Sequence, residues 1–465
     1  MLRKLCVCAT KRGAEVLNPS LAAQSTAGYW VGEPPAFSSL STDTRDTKPG
    51  QWFLALKGER FDGHDHVSMA IASGASAVVV AKPIADDCPQ LVVSDTRIAL
   101  GQLAKAHRQE WSGFAAAVTG SCGKTTTKRL LAAGFRVTGP GVESFKSFNN
   151  DIGVPRTLLE LGPEHLWLAA EVGMSAPGEI APLATMVDPD AAILTMVGLA
   201  HAGAFDSIDG VREEKLDLLR ALQPGGLAVL PEELPVDLPG HISVLRFGVN
   251  ADIAWQAGPW QDGRRTGTID GHPCRLQLAG PHDVGNAAAA YAVLREFGVS
   301  ASDAVVAMES VVPEAMRLTP QQYGRALVWN DAYNANPESI RAAIDAFEDL
   351  AGDLRPRVLV LGEVLELGHL AAEAHLELGQ QILKCHEGSP WHQVFLVGPA
   401  FSCTADSLRA EGVPVIHADE ALMLDKQFGE LLEQEVVILM KGSRGTGLER
   451  LLASVGEEPL AGSMG

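Results

Sequence analysis

The run TGSCGKTTT (residues 119–127) sets two glycines, a lysine and a string of threonines directly after the apolar segment 114–118. A helix-compatible stretch, 125–135, follows it. Gly120 and Gly123 let the backbone bend close to an anion, and the amides of a helix start offer partial positive charge to phosphate oxygens. With Ser121, Cys122 and Thr126 they form a candidate nucleotide cradle, in which Lys124 reaches a terminal phosphate and Thr125 can ligate magnesium. The strict pattern asks for a Gly five residues before Gly123, where this chain has Val118, so the loop is a shortened TGSxGKT form. An ordinary strand-to-helix turn could also contain Gly and Lys, but the apolar run before and the helical run after favour the cradle. Cys122 reads as a small filler whose amide faces phosphate, with a nucleophilic role as the alternative.

Three further groups follow at the expected ends of strands. Glu171 closes the apolar run LWLAA, where a carboxylate at the end of a buried strand is placed to bind magnesium. His201 follows the next strand in VGLAHAGAF and can complete a metal shell as a neutral imidazole. Taken singly, each is more often structural; their coincidence after a phosphate loop gives them weight. Lys215, in GVREEKLDLL, reads by itself as a solvated helix lysine paired with acidic neighbours.

The elements that must position these groups fall into three segments. A chain of 465 residues accommodates about three domains of ~150 residues, and 46% hydrophobic residues suffice for packed cores. The expected class is α/β: a small N-terminal α/β unit (1–112), a central phosphate-loop parallel-sheet unit (113–315) and a C-terminal Rossmann-like unit (316–465). In the central segment, apolar runs at 166–170, 191–197, 226–230 and 242–247 alternate with helical patterns at 211–222 and 286–297. The last segment repeats the alternation, with strands expected at 326–330, 358–361, 394–397 and 436–440, and helices starting near Pro337, His369 and Gly445. Pro337 suits a first helical turn, where its missing N–H is not needed.

With 37 basic against 57 acidic residues the formal charge is −20, and no long basic run is present, which disfavours nucleic acid and membrane surfaces as partners. The N-terminal MLRKLCVCAT is too short in apolar residues for a signal peptide, and no segment approaches a membrane span, so a cytoplasmic location is expected. Seven scattered cysteines lack paired CxxC spacing and are expected as reduced thiols, with Cys6 and Cys8 a remote metal-ligand pair.

From about residue 39 to 452 the sequence resembles the Mur ligases. The motifs are STDTRDTKPGQWFLALKGERFDGHDH (41–66), the phosphate loop, NNDIGVP (149–155), EVGMSAPGEI, AHAGAF, DAYNANPES (331–339) and KGSRG (441–445). Within the family, YNANP favours the step that adds D-alanyl-D-alanine to UDP-N-acetylmuramoyl-tripeptide over the preceding step, whose enzymes carry a DYAHTPD-like string there. The resemblance implies a ligase of peptidoglycan precursor synthesis, working with ATP and Mg2+ through an acyl phosphate; a monomer is expected, though no residue pattern carries that expectation. It places Thr42, Asp43, Thr44 and Arg45 at the uridine-diphosphate substrate, and Asn149, Asn150, Tyr333, Asn334, Lys441, Ser443 and Arg444 among substrate-binding residues. Asn286, Arg317 and Asp331 match nucleotide-contacting positions. Thr125, Glu171 and His201 match metal-shell positions, and Lys215 the lysine that the family carbamylates into a further metal ligand. Lys124, Glu171, His201 and Lys215 are the implied catalytic set.

Three departures stand out: Asp283 replaces Asn in GPHDVGN, Asp217 stands where Glu is usual, and LGEVLELG carries Glu363 for Asp. Two other readings remain open at this stage: a related amide ligase with another acceptor, such as a single amino acid or folate polyglutamylation, and a nucleotide-driven binding switch.

Overall fold

The computed structural model describes residues 17–58, 61–205, 207–352 and 356–453; Cys6, Cys8 and the rest of the N-terminal stretch lie outside them. Three sheets organise the chain. The first has the spatial order Tyr29–Val31, Gln90–Val92, Ala77–Val80, Trp52–Leu54, Leu40–Ser41, parallel except at the Tyr29–Val31 edge. Every residue of Ala77–Val80 is buried, which is why that strand reads as an unbroken apolar run. The helix Thr96–Glu110 is capped by Asp95, whose carboxylate accepts from the amides of Arg97 and Ile98. Its Leu100 and Leu103 share one buried cluster with Leu54 of the first sheet and Leu158 and Leu183 of the central segment.

The central sheet has nine strands. Seven are parallel, in the order Gly141–Glu143, Trp167–Glu171, Phe114–Thr119, Ala191–Leu194, Leu227–Pro231, Ser243–Gly248, Ile253–Gln261. Arg264–Ile269 and His272–Leu276 extend it antiparallel. The third sheet runs Thr319–Tyr323, Ala326–Asp331, Val437–Lys441, Arg357–Gly362, Gln393–Val397, Val415–Ala418, parallel after its first pair. The expected boundaries at 112 and 316 fall in the connections between Thr96–Glu110 and Phe114–Thr119, and between Ala301–Glu309 and Thr319–Tyr323.

The strands at 253–276 were not among the sequence expectations, because the stretch is polar, glycine-rich and irregular in its alternation. A signal was nevertheless present. Asp262-Gly263 (φ 50, 70) and Asp270-Gly271 (φ 50, 78) take the positive-φ pair that two-residue hairpin turns require.

His107, on Thr96–Glu110, is buried with its Nε2 donating to Leu161 O at 2.7 Å and its Nδ1 without a partner. Burial therefore pushes its pKa from 6.5 down to about 4. The unfolded chain binds a proton in that window and the folded chain does not, so stability is intact above pH 6.5 and falls as pH drops toward 4. The loss is about 3 kcal/mol in order of magnitude. Urea midpoints measured across this range should slope down for the parent and flatten for His107→Gln; identical slopes would exclude this residue as the source.

Candidate active site

The phosphate loop is strained into shape by its neighbour strand. Gly120 has φ +148, and a Cβ there would collide with Thr195 Oγ1; Gly123 has φ +78, and a Cβ would stand 2.5 Å from Asn286 Oδ1. Ser121 N donates to Met196 O at 2.9 Å, and its Oγ both donates to Gly198 O and accepts from Gly198 N, each at 2.9 Å. Thr195 Oγ1 bonds the Cys122 carbonyl. The loop is thus held open by the segment after Ala191–Leu194. Lys124 begins the helix Lys124–Arg136 and folds back to donate from Nζ to Gly120 O at 2.7 Å. Shielding from water lowers its pKa. Cys122 Sγ lies 3.1 Å from Asn336 Oδ1, and burial raises its pKa, which keeps it a thiol and favours the filler reading.

Glu171 ends the strand Trp167–Glu171 fully buried, with both carboxylate oxygens and its amide engaged. Thr125 Oγ1 donates to its Oε2 and Asn149 Nδ2 to its Oε1, each at 2.8 Å, while its own N donates to Ser144 Oγ at 2.9 Å. Lys215, on the helix Ile208–Arg220, is buried rather than solvated. Its acidic neighbours are occupied elsewhere: Glu213 pairs with Arg220, and Glu214 accepts from Gly178 N and Ile180 N. Burial first and the Lys124 charge second drive its pKa well below the usual lysine value. His201 takes a left-handed turn (φ 59), and its Nδ1 stands 2.5 Å from Glu366 Oε2 of the third domain; burial lowers its pKa. The Lys124 charge acts on Glu171, His201 and Lys215 alike, so the four belong to one electrostatic neighbourhood.

A hydroxyl and a carboxylate oxygen suit a hard divalent cation, and a carbamylated lysine would add another oxygen donor. Among the described residues no three His, Cys, Asp or Glu side chains form a ready metal cluster. The fit to magnesium rests instead on the Thr125 hydroxyl and the Glu171 carboxylate, since this ion takes one or two protein carboxylates and completes its shell with water and substrate phosphate.

The third domain closes over the loop through several contacts. Asn336 caps Pro337–Ala351 by accepting from Ser339 N at 2.8 Å and touches Cys122, and Glu338 Oε2 accepts from Leu199 N at 3.1 Å. Tyr333 Oη and Ser147 Oγ are 2.7 Å apart. Arg317 lies 4.2 Å above the Tyr333 ring, and its Nη2 is 3.4 Å from Thr125 Oγ1. Asp331 Oδ2 accepts from Lys441 Nζ at 2.6 Å, and Lys441 also reaches Asn334 O at 3.3 Å. Ser443 Oγ accepts from Leu365 N at 3.0 Å, and Arg444 is exposed beside Met316 and Glu449. Asp283 explains one departure from the family pattern: its carboxylate accepts from Gly280 N and from Asn286 Nδ2, so it both caps Pro281–Phe297 and orients Asn286.

In the first domain Asp43 and Arg45 form a bidentate pair that holds the Asp43 pKa at about 2. Arg45, Lys48 and Arg156 line a cavity of about 470 Å³ with Ser41, Gln51 and Glu160, where the first domain meets the helix Gly153–Leu158. Thr42, Asp43 and Thr44 do not line it. Asn150 Oδ1 accepts from Gly153 N at 2.9 Å at that helix start. Sequence reasoning assigned no individual role to Lys48, Arg156, Ser144, Asn336, Glu338 or Glu366, although Lys48, Asn336, Glu338 and Glu366 lie within the motifs quoted above.

A phosphate loop at the carboxyl ends of parallel strands, roofed by a second doubly wound domain, defines a multidomain α/β nucleotide-binding protein. Comparison with known proteins narrows this. Profiles described as Mur ligase family, catalytic domain; Mur ligase middle domain; and Mur ligase, glutamate ligase domain match residues 36–108, 118–294 and 316–444. The chain is 32% identical over 447 residues, 92% of its length and 96% of the relative's, to UDP-N-acetylmuramoyl-tripeptide--D-alanyl-D-alanine ligase of Escherichia coli K12. It superposes on crystal structure I of MurF from Acinetobacter baumannii with a TM-score of 0.84 at 31% identity, covering 94% of this chain and 98% of that one. It also superposes on MurF ligase from Thermotoga maritima in complex with ADP, with a TM-score of 0.76 at 26% identity, covering 89% and 96%. The chain belongs to the Mur ligase family.

Proposed function

We propose that this chain is the ATP-dependent ligase that joins D-alanyl-D-alanine to UDP-N-acetylmuramoyl-tripeptide, a cytoplasmic step in making peptidoglycan precursors, and that it acts as a monomer. The observation that carries the chemistry is the buried Thr125–Glu171 pair at the phosphate loop, together with a buried Lys215 whose pKa the neighbouring Lys124 charge helps to lower. The acceptor follows from full-length similarity to ligases of that name and from the YNANP segment at 333–337. Among the described residues no helix is long and apolar enough to cross a membrane.

The reaction brings a γ-phosphate against a carboxylate, two like charges, so positioning and cations do most of the catalysis. Residues 1–112 present the nucleotide sugar, its diphosphate in the cavity of Arg45, Lys48 and Arg156. Residues 113–315 hold ATP, with Lys124 turning from the Gly120 carbonyl to the transferred phosphate. Thr125, Glu171, His201 and carbamylated Lys215 would hold magnesium, which neutralises phosphate charge when bound. Asn286, Arg317 and Asp331 position the nucleoside. Residues 316–465 bring the dipeptide amine to the acyl phosphate, with Tyr333, Asn334, Lys441, Ser443 and Arg444 on that side. Closing the domains keeps water from the acyl phosphate, which would otherwise hydrolyse.

Phosphate release from ATP, measured with UDP-N-acetylmuramoyl-tripeptide and separate amines, tests the proposal. D-alanyl-D-alanine should give release matched by amide product. Equal release with a single amino acid would transfer the chain to another acceptor, and hydrolysis without any amide would favour the switch reading.

A further inference from the structure

Of the buried cations outside the roles above, which include Arg108, Arg265 and Arg357, Lys128 is the one on the phosphate-loop helix. Lys128 stands one turn beyond Lys124 on the helix Lys124–Arg136, and its side chain is almost fully enclosed. Its Nζ donates to Ser144 O at 2.5 Å and to Lys146 O at 3.1 Å, and lies 3.7 Å from Glu143 Oε2. A lysine buried this deeply is costly unless its protons and charge are met, and here two main-chain carbonyls accept hydrogen bonds while the Glu143 carboxylate stands close as a counter-charge. What it grips matters more than how it is satisfied. The gripped segment, 143–149, supplies the two groups that orient Glu171: Ser144 Oγ receives the Glu171 amide, and Asn149 Nδ2 donates to Oε1. Oε2 is thereby turned to Thr125. The same segment carries Ser147, which meets Tyr333 of the third domain.

We propose that Lys128 is a positioning residue: by clamping 143–149 to the phosphate-loop helix, it sets the Glu171 carboxylate in the orientation that receives the divalent cation. This rests on the proposed ligase reading and deepens it. Loosening the clamp frees Glu171 to rotate, which weakens cation binding while leaving the nucleotide-sugar cavity, whose lining includes none of residues 143–149, untouched. A guanidinium can keep both carbonyl contacts, so arginine should restore part of what methionine loses.

The test compares the parent, Lys128→Met and Lys128→Arg. Mn2+ binding in the presence of ADP is read by electron paramagnetic resonance, and ligase turnover is titrated with Mg2+. Lys128→Met should weaken Mn2+ binding and raise the Mg2+ concentration for half-maximal turnover about tenfold or more, with the KM for the nucleotide sugar within about twofold of the parent. Lys128→Arg should recover part of the shift. Unchanged metal dependence in a folded Lys128→Met enzyme would overturn the proposal, as would a parallel rise in both constants. If Lys128→Met does not fold, Ser144→Ala tests the same chain of contacts and should shift the metal dependence in the same direction; no shift there would overturn the proposal. A parent enzyme that forms no amide would instead refute the ligase reading, and the Mn2+ measurement would still report on Lys128.

Discussion

Lys124→Ala is expected to lower kcat about a thousandfold, which corresponds to ~4 kcal/mol of lost transition-state stabilisation, with little change in thermal stability. The asymmetry follows from the contacts. The Lys124 ammonium makes a single hydrogen bond, to Gly120 O, and the loop keeps its shape through Ser121, Met196, Gly198 and Thr195 without it. What is lost is the positive charge that meets the transferred phosphate, where charge accumulates as the bond breaks. Steady-state turnover set beside a melting curve decides the matter. Retained turnover would remove Lys124 from the phosphate role, and a large fall in melting temperature would recast it as structural.

Removing Lys215 should cost at least about a hundredfold in turnover, and Lys215→Arg should be as poor as Lys215→Ala. A carbamate forms by attack of a neutral amine on carbon dioxide, and a guanidinium cannot take that path. Burial and the Lys124 charge lower the Lys215 pKa, so a larger fraction of this amine is neutral near pH 7 than for an exposed lysine. The sign of the pH dependence follows: as pH falls through the depressed pKa, the amine protonates, carbamate is lost and activity declines. Enzyme equilibrated with 13C-bicarbonate should show a carbamate carbon that both variants lack. Full activity of Lys215→Ala would leave the residue without a part in the reaction.

Much of the architecture was legible because buried parallel strands announce themselves. AAAV before the phosphate loop, LWLAA before Glu171 and AAIL before Thr195 are continuous apolar runs that only a sheet covered on both faces would demand. The phosphate loop was legible for a different reason: its glycines answer to backbone angles that other residues resist. Lys215 shows where local reading fails. Its neighbours in GVREEKLDLL are charged, and helical spacing alone predicts a solvated face; burial comes from tertiary packing that no window of sequence contains. Lys128, Glu366 and Glu338 were missed similarly, since their partners lie 16, 165 and 139 residues away or nearly so along the chain. Asp43 and Arg45 were marked through the family resemblance, and the cavity beside them also draws Arg156 from another segment, which no local reading would supply.

The contacts of Cys122 with Asn336, Leu199 with Glu338, Thr125 with Arg317, Ser147 with Tyr333 and His201 with Glu366 all cross from the central sheet's domain to the last one. The two halves are therefore not interchangeable modules. A domain borrowed from a relative would arrive with its own surface chemistry and would have to match all five partners at once, so inheritance of this site is joint: a substitution on one side alters what is tolerated on the other.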